Sequence, residues 1–358
     1  MEVTIKQLER LTYRYIKAEK PFYVRGTMGI GKSMTIRSVA KKIAEERKLE
    51  YTETEVGKEG TYGLIDIRAS QLDPSDLRGI PFPENGVTRW LPPSWLPTGG
   101  KGVIFFDEIN LSPPTIQAAL YQLILDRRCG DYILPDGWTI IAAGNRSSDK
   151  GHTFPMSGPL KDRFSHAVLL PPSKDEWRDW ALENGIISDI IGFMEFNESM
   201  LHKFDSKSKD YAFPTHRSWA TANELIKDIK GTSDEELNDI FLLTSSCVGE
   251  GAAREYQAFV KLKKKIKLDD IINNPSRVKE IKDAGMKYCL VSGLAERYRV
   301  DNKNLKRILP VVLEMDNEFG TFLMRLMKRT SKGSSFMKEL MEQPAFDKLA
   351  ARIDQFVL

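Results

Sequence analysis

The residues Gly26-Thr27-Met28-Gly29-Ile30-Gly31-Lys32-Ser33 fit the pattern G-x-x-x-x-G-K-[ST]. Glycines in such a run let successive backbone N–H groups turn inward, and a helix starting at its end adds partial positive charge. A loop of this kind holds phosphate oxygens. The Lys32 ammonium would reach the β- and γ-phosphates of a nucleotide, the Ser33 hydroxyl would help hold Mg²⁺, and the backbone from Gly26 to Met34 would form the cradle. A second pair of groups suits the same chemistry. Asp107 and Glu108 follow the apolar run Val103-Ile104-Phe105-Phe106. Consecutive residues at a strand end point in different directions, so Asp107 can face the metal while Glu108 polarises the water that attacks the γ-phosphate.

Three more polar residues fall where such a site needs them. Asn145 ends the run Ala142-Ala143-Gly144-Asn145, which puts an amide at a strand tip where it can contact the γ-phosphate and the lytic water. Arg163, in Leu160-Lys161-Asp162-Arg163-Phe164, would reach a neighbour's γ-phosphate if subunits form a ring, as an arginine finger does. Its plainer reading is an ion pair with Asp162. Arg217, in Pro214-Thr215-His216-Arg217-Ser218-Trp219, opens a helix and would fold over the phosphates; otherwise it is a surface arginine.

These groups require a particular frame. Pro21-Phe22-Tyr23-Val24 reads as a buried strand entering the loop, and Met34 to Glu46 as the helix leaving it. An amphipathic helix is expected over 4–18 and a strand at Leu64-Ile65-Asp66-Ile67. Residues 69–101, rich in Pro and Gly and containing Trp90 and Trp95, read as irregular. Val103–Phe106 has the continuous apolar character of a central parallel strand. Ser112-Pro113 reads as the N-cap and first residue of a helix. A hairpin is expected between Tyr132-Ile133-Leu134 and Trp138-Thr139-Ile140 around Pro135-Asp136-Gly137, and a last strand at Ala167–Leu170. Strands alternating with helices imply a three-layer α/β domain on a mostly parallel sheet. After Pro172, Ser173-Lys174-Asp175-Glu176 forms a capping box, and helical periodicity continues to the end.

Composition excludes several classes. Lys+Arg 53 against Asp+Glu 50 gives a net charge of +3, too balanced to argue for nucleic acid or an anionic membrane. The three cysteines, Cys129, Cys247 and Cys289, show neither a disulfide framework nor zinc-ligand spacing, and the four histidines show no metal-ligand pattern. No apolar run is long enough for a membrane span, and the N-terminus lacks a signal-peptide core; a cytoplasmic protein is expected. The run Lys261-Leu262-Lys263-Lys264-Lys265-Ile266-Lys267 reads as a solvated helix face with Leu262 and Ile266 on the buried side. The methionines at 315, 324, 327, 337 and 341 read as core fillers.

The phosphate loop, Val103–Glu108, Asn145, Arg163 and Arg217, in this order, together resemble an AAA+ ATPase. The hairpin near Tyr132–Trp138 and the phrase Pro214–Trp219 resemble its MoxR branch, related to dynein-type and midasin-like modules of microbial or phage type. Met28 and His216 stand where relatives more often carry proline. The resemblance implies a presensor hairpin and a helical lid, with domains at 1–172 (nucleotide-binding α/β), 173–235 (lid) and 236–358 (helical extension). It implies ATP and Mg²⁺ as cofactors and a homo-oligomeric ring, a hexamer in this branch. Its output is the remodelling, activation or assembly of a protein client, with a von Willebrand A-type partner as one candidate. By the same resemblance Trp90, Trp95 and Tyr132 face the pore of the ring, although a Trp flanked by prolines more often anchors a loop to its own domain. Two rival classes are a DNA-associated translocase of a defence system and a nucleotide-dependent assembly scaffold. Near-neutral charge opposes the first and Glu108 opposes the second.

Overall fold

The computed structural model describes residues 1–146, 154, 156–205, 210–330 and 334–352, so His152 lies outside the described residues. The chain divides into two compact units, Met1–Pro172 and Ser173–Leu358.

In chain order the first unit runs β1 (Glu2–Val3), α1 (Ile5–Lys17), β2 (Phe22–Arg25), α2 (Lys32–Glu46), β3 (Glu50–Thr52), β4 (Thr61–Arg68), α3 (Pro74–Arg78), β5 (Ile80–Glu84), β6 (Val87–Leu91), β7 (Lys101–Asp107), α4 (Pro114–Asp126), β8 (Arg128–Cys129), β9 (Tyr132–Ile133), β10 (Trp138–Gly144), α5 (Gly158–Arg163) and β11 (Ser165–Leu169). Seven strands form one sheet in the order β1-β11-β2-β10-β7-β4-β3, parallel at every pairing. The fold is α/β with a parallel sheet between helical layers. The alternation of side chains along β7 shows why. Val103 and Phe105 join Ile36, Val39 and Ile43 of α2 on one face, while Ile104 and Phe106 join Leu120 and Leu123 of α4 on the other. A strand buried on both sides has no polar face, and each buried phenylalanine contributes roughly 1.5–3 kcal/mol. At the other end of β7, Gly102 sits beside Gly63, and the buried Trp138 indole fills the space that two missing side chains leave.

Four local expectations are corrected. The strand expected at Leu64–Ile67 extends over Thr61–Arg68, and the short edge strands β1 and β3 were not anticipated. The stretch 69–101 is not irregular throughout. It holds α3 and an antiparallel hairpin, β5–β6, closed by Asn85-Gly86 with φ of 49° and 77°. Those left-handed values suit a two-residue turn that matches strand twist. The other hairpin lies at β8–β9, with Arg128 opposite Ile133, and not at 132–140. Trp138 belongs to β10, inside the sheet, because its indole is buried there with its Nε1 donating to Gly99 O at 2.9 Å. Finally, the N-cap of α4 is Pro113, without a side-chain cap; the Ser112 hydroxyl donates instead to Ile109 O at 2.6 Å.

The second unit is helical: α6 (Lys174–Glu183), α7 (Ser188–Phe196), α8 (His216–Ile226), α9 (Asp234–Val248), α10 (Glu250–Lys264), α11 (Leu268–Asn273), α12 (Ala284–Val300), α13 (Leu305–Glu314), α14 (Asn317–Thr330), α15 (Ser334–Met341) and α16 (Phe346–Arg352). The expected capping box at Ser173–Glu176 is present. One continuous core includes Trp219, Tyr256, Leu290 and Leu323. In the basic run, Ile266 is buried and Leu262 packs against this core. Met315, Met324 and Met327 are buried, but Met341 is 60% exposed and fills no core.

His216 begins α8, and among the described residues neither of its ring nitrogens has a hydrogen-bond partner. Burial, and secondarily the neighbouring His202 ring, pushes its pKa down to about 3. In the unfolded chain it titrates near ~6.5. Between these values the unfolded state binds a proton that the folded state refuses, so stability falls as pH drops from ~6.5 toward 3. The expected loss between pH 7 and pH 5 is about 2 kcal/mol, removed by His216→Leu. Urea unfolding of both proteins at the two pH values measures it; equal pH dependence would contradict the assignment.

Candidate functional site

The strand order sets the site. β2, β10 and β7 are adjacent and parallel, so their C-terminal ends lie side by side, with Gly144 opposite Arg25 and Ala142 opposite both Tyr23 and Phe106. The carboxyl edge of an open parallel sheet is where such folds bind ligands.

The loop leaves β2 at Gly26, whose N–H donates to Gly144 O at 3.1 Å and so pins its start to the tip of β10. Gly29 (φ 73°) and Gly31 (φ 95°) take left-handed conformations that cost other residues energy. With Gly31 as N-cap, α2 opens without a side-chain cap. The first N–H groups of any helix lack partners within it, so this end offers donors and positive potential to an anion.

Five sequence-predicted residues meet here. The buried Lys32 Nζ donates to Gly26 O (2.7 Å), Thr27 O (2.8 Å) and Asn145 Oδ1 (3.2 Å). The Ser33 hydroxyl donates to Asp107 Oδ2 at 2.8 Å. Asp107 Oδ1 accepts the Glu108 N–H at 2.9 Å. Glu108 itself is left-handed, with φ 56° and ψ 33°. That uncommon conformation for a residue with a side chain turns the chain sharply off the strand. The Ser70 hydroxyl reaches Glu108 Oε2 at 3.5 Å.

One turn past Ser33, on the same face of α2, Arg37 ties the helix to the sheet. Its Nη2 pairs with Asp66 Oδ2 at 2.5 Å and its Nε lies 3.3 Å from Glu53, which accepts the Tyr51 hydroxyl at 2.6 Å. The residues that position the loop therefore include β3 and β4.

The donor set fits Mg²⁺ with a nucleotide. Ser33 and Asp107 already converge through hard oxygens, and Mg²⁺ is commonly bound through one or two carboxylates plus substrate phosphates and water. Lys32, now satisfied by backbone carbonyls, is a buried ammonium beside the uncapped helix end.

The two arginines stand on elements of their own. Arg163, the last residue of α5, donates through Nη2 to Tyr121 Oη at 2.8 Å, stacks its guanidinium 5.3 Å from that ring, and lies 3.6 Å from Asp162. Arg217 is exposed in the first turn of α8, after a capping box between Thr215 and Ser218, and belongs to the second unit. Trp95 is tied to its own unit, its Nε1 donating to Asp76 O at 2.8 Å and its ring edge-on to Phe106. Tyr132 likewise donates to Pro97 O at 2.7 Å. Trp90 is 37% exposed on the β5–β6 hairpin, with Ile80, Phe82, Val87 and Leu91 also open to solvent.

Sequence reading missed Ser70 and Asn110. Asn110 is buried, and its side chain engages the Asn145 backbone. The signal was a lone amide between Ile109 and Leu111, a polar group that burial obliges to find partners.

Among the described residues no helix is long and apolar enough to cross a membrane, and no group of three or more His, Cys, Asp or Glu is placed to hold a metal. No family model matches the chain, and no curated protein matches it. Similar solved structures include the RuvB Holliday junction branch migration motor of Thermotoga maritima, at 14% identity over 97% of this chain and 86% of that one, TM-score 0.31. Others are NtrX from Brucella abortus with ADP, at 11% identity over 97% and 67%, TM-score 0.35, and domain III of the Thermotoga maritima replication initiation protein DnaA, at 14% over 68% and 92%, TM-score 0.35. The fold and site described above stand on the sheet order and side chains of this chain, not on these likenesses.

Proposed function

We propose that this chain is a Mg²⁺-dependent ATPase of the AAA+ class, of the MoxR-like branch, that works as a cytoplasmic homo-oligomeric ring. The observation that carries the reading is the meeting of Lys32, Ser33, Asp107 and Asn145 at the carboxyl edge of three adjacent parallel strands. Ser33 and Asp107 would hold the metal, which when bound supplies positive charge to the phosphate oxygens. Lys32 would exchange its carbonyl partners for the β- and γ-phosphates, and the N–H groups of the loop through Met34 would bind the rest. Glu108 would take the proton of the attacking water, with Asn145 orienting that water. Arg163 would act on the neighbouring subunit's nucleotide, and Arg217 would link hydrolysis to movement of a lid at 173–235, followed by an extension at 236–358.

The mechanical output is the remodelling, activation or assembly of a protein client, with a von Willebrand A-type protein as the candidate partner. The exposed apolar residues of the β5–β6 hairpin, Trp90 among them, support contact with a polypeptide.

Lys32→Ala tests the nucleotide site. Removing one member of a buried charged pair costs about 2–5 kcal/mol, so ATP affinity should fall ~30-fold or more. Equilibrium binding of a fluorescent ATP analogue with Mg²⁺ measures it. Equal affinity in both proteins would remove the loop from the site.

A further inference from the structure

Asn110 lies two residues beyond Glu108 and is only 7% exposed. Its side-chain amide makes a two-point contact with the backbone of Asn145. Nδ2 donates to Asn145 O at 2.9 Å, and Oδ1 accepts Asn145 N–H at 3.1 Å. Its own carbonyl accepts the Phe154 N–H at 2.8 Å. The approach depends on Gly144. A Cβ there would stand 2.4 Å from Asn110 Oδ1 and 2.3 Å from the Tyr23 hydroxyl. One hydrogen bond would satisfy a buried amide in part; two to the same residue also fix its position and direction.

We propose that Asn110 is a positioning residue that couples the hydrolytic carboxylate Glu108 to the nucleotide-responsive Asn145. The inference rests on the reading of this site as an ATP site. A single 3₁₀ turn, Ile109–Leu111, joins Glu108 to Asn110, so the two residues share one short, stiff span. Asn145 in turn accepts from Lys32. When Lys32 turns to phosphate, Asn145 Oδ1 loses that donor. Because Asn110 clamps the Asn145 backbone, the side chain reorients about a fixed pivot, and any backbone displacement passes to Glu108. The Phe154 contact extends the same tie to the segment preceding α5, which carries Arg163.

The test compares Asn110→Ala and Asn110→Asp with the wild-type full chain. The aspartate is isosteric and keeps an acceptor for Asn145 N–H, but it sets a carboxylate oxygen against Asn145 O where a donor had been. It carries the test if the alanine variant does not fold. Both variants should bind a fluorescent ATP analogue within about threefold of wild type, while turnover falls roughly 10- to 100-fold at a temperature where the variant remains folded. In a Glu108→Gln background Asn110→Ala should add less than about threefold, because residues that act as a unit are non-additive. Wild-type turnover in the folded variants, equal loss of binding and turnover, or additive losses with Glu108→Gln would each overturn the coupling. A wild-type chain that neither binds nor hydrolyses ATP would instead overturn the reading of the site.

Discussion

Arg163→Ala is expected to lower ATP turnover by about 10³-fold, the lower end of what an arginine finger supplies. Nucleotide affinity should change little, since the contacts of Arg163 are with Tyr121 and Asp162 and not with Lys32, Ser33, Asp107 or Asn145. The decisive measurement is complementation. Arg163→Ala subunits keep an intact phosphate loop and Glu108, whereas Glu108→Gln subunits keep Arg163. In a mixed ring, an Arg163→Ala site next to a Glu108→Gln neighbour has every group it needs, so two inactive proteins should recover activity when mixed. A residue acting only within its own subunit would give no recovery.

The resting contacts of Arg163 are compatible with such a transfer. Its ion pair with Asp162 is long, at 3.6 Å, and the Asp162 side chain is 80% exposed, a geometry that contributes little in water. The bond to the Tyr121 hydroxyl joins the cation to a neutral partner with no opposite charge. Neither holds the guanidinium strongly. If Arg163→Ala instead lowered the melting temperature at full turnover, Arg163 would be a clamp between α4 and α5.

How much of this was legible in the sequence depended on distance along the chain. The phosphate loop and its flanking strand and helix are contiguous, and their pattern carries its own geometry. The buried strand β7 announced itself as an unbroken apolar run, because a strand covered on both faces leaves no polar alternation. The β5–β6 hairpin was hidden by Pro81 and Pro83, which argue against a strand, although Asn85-Gly86 marked the turn. Trp138 was assigned to a hairpin because Asp136-Gly137 precedes it; only the sheet shows it filling the gap beside Gly63 and Gly102. Asn110 was illegible for a different reason. Its partner is 35 residues away, and no local pattern records a side chain that recognises backbone.

Glu108→Gln should reduce turnover by roughly 10²–10⁴-fold, the range for loss of a general base, and leave ATP binding intact. The amide is isosteric but cannot take a proton from water. Binding should survive because the structure separates the two acidic roles. Asp107 is oriented by the Ser33 hydroxyl on one oxygen and the Glu108 backbone N–H on the other. That second contact is to the main chain, so it persists whatever side chain stands at 108. Among the described residues the side chain of Glu108 has only the distant Ser70 hydroxyl, at 3.5 Å, as a partner, so changing it orphans no strongly bound group there. Single-turnover kinetics with equilibrium binding of a fluorescent ATP analogue separates the effects. Wild-type turnover in the folded variant would end the hydrolytic assignment, whereas a parallel loss of binding would mean that Glu108 and Asp107 share the metal. The selective loss would also create a stable ATP-bound state, from which a captured protein partner would support remodelling and captured DNA would reverse the choice of client.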